Sequence, residues 1–126
     1  MSESWISIIE SYRRQIANSV GDDAFQRALR GVVAVAEHID GTPLRAGLFG
    51  GRSMFDLCIQ QTDLPTLGGP FLRISPLRSG NVEFRYVDTQ IAEQQWHREV
   101  EPEDTVKRFK KFLEQLRWVG SSSVMP

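Results

Sequence analysis

Cys58 is the chain's single thiol, and His38 and His97 are its two imidazoles. A thiolate beside an imidazole is a device for covalent catalysis, so Cys58 with His97, the ring oriented by Asp56 or Glu99, is the layout with nucleophilic promise. Against it, Cys58 falls in the middle of a predicted strand with no local motif around it, and lone cysteines are most often small apolar fillers. Two histidines and one cysteine spread this widely lack the paired spacings of a zinc site, so neither a metal nor a cofactor is expected. Asp56, Glu83, Asp88 and Glu99 lie on or near the predicted sheet. Paired acids can hydrolyse a bond if their separation and burial suit it, but a solvated or salt-bridged role is the simpler expectation.

RAGLFGGRS, residues 45 to 53, sets glycines between Arg45 and Arg52. A phosphate loop would need a helix to follow and a GK[ST] signature; a strand pattern follows instead, and the G-x-G-x-x-G spacing is missing. Glycine tolerates left-handed backbone, so the segment reads as the hinge where a helix layer gives way to a sheet, with anion binding by Arg45 and Arg52 as the weaker expectation. KRFKK, residues 107 to 111, is the basic cluster, and the helical wheel dissolves it: Phe109 and Phe112 belong to the core stripe, while Lys107, Lys110 and Lys111 face water.

Periodicity supplies the elements that must hold these groups. Trp5, Ile9, Tyr12, Ile16 and Val20 line one face of a helix starting near Ser2 or Ser4 and ended by Gly21. Asp22 is a natural N-cap for a second helix with Phe25, Leu29, Val32, Ala36 and Ile39 buried, and the short join makes the two a hairpin. The pattern breaks from Asp40 to Arg52. Beyond it the period is two: Phe55, Leu57 and Ile59 alternate with Met54, Asp56, Cys58 and Gln60. LPTLGGP (64 to 70) is turn material. FLRIS (71 to 75) turns Leu72 and Ile74 inward, and NVEFRYV (81 to 87) turns Val82, Phe84 and Tyr86 inward, with RSGN as the hairpin turn between them. QWHREV (95 to 100) reads as a fourth strand, with helix as the competing reading over residues 92 to 99. Pro102 and the acids around it open a last helix, with Val106, Phe109, Phe112, Leu113 and Leu116 facing the core and Gly120 stopping it.

Helix, helix, four strands, helix is an α+β order: an N-terminal helical hairpin, a four-stranded antiparallel meander and a C-terminal helix, in two layers with the helices on one sheet face. One domain is expected over residues 1 to 120, with 121 to 126 a flexible tail. The chain has 126 residues, 40% of them hydrophobic, enough for one core without disulfides. Its 15 basic and 16 acidic side chains leave a net charge of −1. No charged domain exists to draw in nucleic acid, so none is expected as partner. The longest apolar run, Val32 to Ala36, is too short to span a bilayer, and Glu3, Glu10 and Arg13 interrupt any signal-peptide pattern; a cytoplasmic protein off the membrane is expected.

If helices cover one sheet face, the other displays Phe71, Arg73, Glu83, Arg85, Val87, His97 and Glu99, a mixture of charge and apolar surface that a partner can bind. The expectation is a non-catalytic protein-interaction module, chaperone-like, adaptor or inhibitor-like, that engages a protein partner or a second copy of itself through that face. The alternatives are a small-ligand pocket near the glycine segment, hydrolase or transferase chemistry around Cys58 and His97, and a ligand sensor working through the glycine hinge.

Overall fold

In a computed structural model, residues 3–61, 70–87 and 96–118 are described. Helix α1 spans Trp5–Asn18 and α2 Asp23–Asp40; a 3₁₀ turn at Pro43–Ala46 leads into strands β1 (Phe49–Ser53), β2 (Asp56–Gln60), β3 (Phe71–Pro76), β4 (Val82–Val87) and β5 (Trp96–Val100), then a second 3₁₀ turn and α3 (Thr105–Leu116). The class is α+β, with the five strands paired antiparallel in chain order. Most of the LPTLGGP turn, Asp88, residues 92 to 95, the stop at Gly120 and the tail from 121 to 126 lie outside the described residues; residues 96 to 100 are strand.

The helices form where the sequence caps them. Ser4 and Asp22 accept from the backbone N–H groups of Ser7 (3.1 Å) and Phe25 (3.2 Å), donors that the first helical turn leaves unpaired. Gly21 reverses the chain between α1 and α2 at φ +96. Val20 does not join the buried stripe: α1 ends at Asn18, and Val20 is 84% exposed in the turn. Helix α3 also ends before Gly120, because Arg117 takes the left-handed conformation at φ 55 and its N–H returns to Glu114 and Leu113.

The count of four strands is corrected to five, because β1 arises inside the glycine segment that carries no period. A ladder is built from backbone groups, and those of Phe49–Ser53 pair with Asp56–Gln60 without needing an alternating side-chain code. Met54 and Phe55, read as the start of a strand, instead make the two-residue turn between β1 and β2, with Met54 at φ 58. Phe55 packs edge-on against Phe25 at 5.4 Å.

The core lies between the helices and one sheet face. Leu57, Ile59, Leu72, Ile74, Val82, Phe84, Tyr86 and Val100, alternate residues of β2 to β5, are buried on that face, while Arg98, opposite Phe84 on the outer strand β5, shares their parity and stays exposed. They meet Ile8, Leu29, Val32, Ala36, Phe109 and Phe112 from the three helices. Two glycines let the layers approach. A Cβ on Gly31 in α2 would lie 2.9 Å from Pro102 Cα, and a Cβ on Gly50 in β1 would lie 2.6 Å from the Trp5 ring. Gly51, one residue on, faces the other way into open space.

Tyr12 closes one end of the core, its hydroxyl donating to Phe55 O at 2.8 Å. Burial, then the nearby Asp56 charge, push its ionisation far above the ordinary 10.0. The folded chain therefore keeps a proton that the unfolded chain loses above pH 10. Stability from the neutral phenol is present below pH 10 and falls as pH rises beyond it. In urea titrations from pH 8 to pH 11, Tyr12→Phe should lose about 1 kcal/mol at the neutral end and fall less steeply at the alkaline end; parallel curves would contradict this. Gly50→Ala should cost about 1–3 kcal/mol by overpacking against Trp5 and Ile8, whereas Gly51→Ala should change stability by no more than about 0.5 kcal/mol. Equal losses in the two variants would contradict the close approach.

Candidate functional site

The strand register sorts the sheet face away from the helices into three rows across the strands. Gly51, Cys58, Arg73, Arg85 and His97 stand opposite one another from β1 to β5. Two residues along, Ser75, Glu83 and Glu99 are opposite one another on β3 to β5, and Asp56, next to Leu57, extends that row onto β2. On the other flank, Phe49 faces Gln60 and Phe71 faces Val87. The face is thus striped: an acidic row, a basic row and an apolar row. Among the described residues, no helix packs on it.

Side-chain contacts tie the charged rows together. Arg73 Nε donates to Asp56 Oδ2 at 2.6 Å, a bond that holds the guanidinium still more firmly charged. Glu83 lies 3.9 Å from Arg85 Nε and 3.8 Å from His97 Nδ1. Asn81 Nδ2 donates to Glu99 Oε2 at 2.6 Å, which turns Glu99 toward Asn81. Arg73 and Arg85 are cross-strand neighbours, and like charges directly opposite disfavour a strand pair. Asp56 and Glu83 offset that repulsion from the next row. Arg85 and His97 are the more open groups, with side chains 47% and 75% exposed, against 28% for Arg73.

Cys58 and His97 share a row but not a site. They sit on β2 and β5, three strand spacings apart, which is about 14 Å at the usual interstrand distance. His38 is on the helix layer, edge-on to Phe109 at 6.5 Å. Neither imidazole is placed to take the thiol's proton. Burial pushes the Cys58 thiol up from its ordinary value of 9.0, and Arg73 only partly counters it. A thiol so placed is protonated at neutral pH and a poor nucleophile.

Arg45 and Arg52 do not form a cradle. Arg52 turns to the helix side, where both oxygens of Glu3 accept from it at 3.0 and 2.8 Å and Ser11 Oγ takes a third bond. Arg45 is exposed and donates to Asp40 O at 3.4 Å. Lys107, Lys110 and Lys111 are exposed while Phe109 and Phe112 are buried, as the helical wheel gives. Arg27, Arg30, Gly31, Pro102 and Glu103 line a shallow groove of about 210 Å³ on the helix side, where Arg27 already binds Glu103 at 3.1 Å. Among the described residues, no cluster of three or more His, Cys, Asp or Glu is placed to hold a metal ion, and no helix is long and apolar enough to cross a membrane.

Asp56, whose parity already set it opposite Leu57, joins the striped face within β2, while Phe49 and Asn81 complete that face and escaped the sequence reading. Asn81 borders a strand whose parity was legible, so that parity was the available signal; Phe49 had none, because its strand is glycine-rich. Comparison with protein-family models, with curated proteins and with solved structures finds no match to this chain.

Alkylation checks the state of the thiol. Iodoacetamide at pH 7.5, below the free thiol's ordinary value, should modify Cys58 at least about tenfold more slowly than the same thiol in urea-unfolded chain. Equal rates would mean an open, reactive cysteine.

Proposed function

We propose that this chain is a non-catalytic protein-interaction module that binds a protein partner through the open face of its sheet. The observation that carries the reading is the striped register: Asp56, Glu83 and Glu99 in one row, Arg73, Arg85 and His97 in the next, Phe71 and Val87 beyond. Rows of opposite sign beside an apolar row offer a partner both orientation and desolvation energy, because charges fix register and exclude wrong partners while the apolar row supplies area. The face is built on strands, so the backbone that carries these groups needs no ordering on binding. The lone cysteine suits a reducing compartment such as the cytoplasm.

The reading is supported from the negative side as well. Neither imidazole stands beside Cys58, and Arg52 is occupied by Glu3.

Charge reversal tests it. Immobilised chain carrying Arg73→Glu and Arg85→Glu should retain a captured partner at least about tenfold less well than the parent, since like charges brought together across an interface cost several kcal/mol. Lys110→Glu with Lys111→Glu, on the exposed side of α3, should leave retention unchanged. A partner purified after capture and titrated against all three chains supplies the affinities. Equal affinity for the parent and the Arg73/Arg85 variant would remove the sheet face as the site.

A further inference from the structure

We propose that the occupant of this face is a second copy of the chain, docked sheet to sheet about a two-fold axis that lies between the sheets and runs along the rows, across the strands. The inference rests on reading the open face as the contact surface, and it names the partner. Its basis is the self-complementarity of the stripes. A rotation about an axis midway between the acidic and basic rows exchanges the two rows and returns each strand over its own counterpart. Glu83 then faces Arg85 of the partner subunit, Glu99 faces His97 of the partner subunit, and symmetry makes each contact twice. A two-fold axis along the strands would instead set acid over acid and base over base. The charge pattern therefore selects one of the two orientations that aligned face-to-face packing allows.

That orientation also suits the sheet's shape. It leaves the strands of the two copies antiparallel within the aligned class of sheet packing, whose offset of about 30° follows from strand twist. Association by the sheet edges is disfavoured on both sides. Glu3 N–H donates to Gly50 O at 2.9 Å along the β1 edge, and β5 exposes His97, Arg98 and Glu99, the charged edge that resists strand addition. The other face is filled by α1, α2 and α3. Five strands of about five residues give a flat footprint of roughly 400 Å² per copy, about 800 Å² in total and below the range of stable specific interfaces, so the dimer is weak and reversible and its charge contacts make it salt-sensitive.

Sedimentation velocity on the full chain, from micromolar to about millimolar concentration and at low and high salt, reads the result. The parent should pass from monomer to dimer with rising concentration and shift back toward monomer in high salt. On β4 and β5, Arg85→Glu with His97→Glu makes both rows acidic, and Glu83→Arg with Glu99→Arg makes both basic. Each variant alone, shown folded by circular dichroism, should associate at least about tenfold more weakly than the parent, and an equimolar mixture of the two should dimerise again. A parent that stays monomeric throughout, a dimer unmoved by either pair of substitutions, or a mixture that fails to reassociate would overturn the proposal. A monomeric parent whose captured protein partner is still lost on Arg73/Arg85 reversal would remove the second copy as occupant and leave the interaction reading standing. A dimer unmoved by any reversal, with partner affinity equally unmoved, would remove both.

Discussion

The pleat of an antiparallel strand sends neighbouring side chains to opposite faces, and among the described residues of this protein one face alone receives the helices. Everything else follows from that one-sided coverage. Phe84 is fully buried and Arg85, the next residue, is exposed. Because register aligns like parities across β2 to β5, single alternations in four separate strands become continuous rows. The rows are a property of pairing, not of any one segment. Shifting one strand by a single residue would put its charged set into the core, so the buried face holds the striped face in place.

The basic row is an electrostatic liability that the fold tolerates. Arg73 and Arg85 stand directly opposite each other, and desolvation around Cys58 makes their neighbourhood drier than bulk water. Asp56 neutralises Arg73 at hydrogen-bond distance, whereas Glu83 stays near 3.9 Å from Arg85, too long for a hydrogen bond. The two arginines are therefore unlike. Arg73 is spent within its own chain, and Arg85 with His97 keeps bonding capacity for something outside it.

Legibility of the fold from sequence tracked the strength of each local code. The stripes at Trp5, Ile9 and Tyr12, at Leu29, Val32 and Ala36, and at Phe109 and Phe112 are strong 3.6-residue signals, and all are buried. The alternation in β3 and β4 sorted Arg73, Glu83 and Arg85 onto one face. Strand β1 was not legible, because Gly50 and Gly51 occupy the positions where alternation would show. Val20 and Phe55 misled for a related reason: each continues an apolar period one step past the end of its element, where a turn, not hydrophobicity, decides the path. Rows across strands were legible only in part, since register depends on turn lengths that the sequence of a single strand does not encode.

The glycine segment is where the hinge reading and the structure meet, and the contacts there restrain relative motion of the layers. Gly50 is glycine because Trp5 and Ile8 press on its Cα, a reason of space and not of freedom. Trp5 Nε1 donates to Leu48 O at 3.2 Å, Glu3 N–H bonds Gly50 O, and Glu3 grips Arg52. Four successive ties thus bind the start of α1 to β1. At the other end of the sheet, Thr105 Oγ1 donates to Gly31 O at 2.7 Å and fixes α3 to α2. A helical hairpin held in this way moves with the sheet, so the sheet face is presented by a stiff scaffold. A sensor that slid its hairpin would first have to break the Trp5 and Glu3 contacts, and it would separate apolar surfaces that already fit to within van der Waals distance. Stiffness of this kind favours recognition by a preset pattern of charge over recognition by rearrangement.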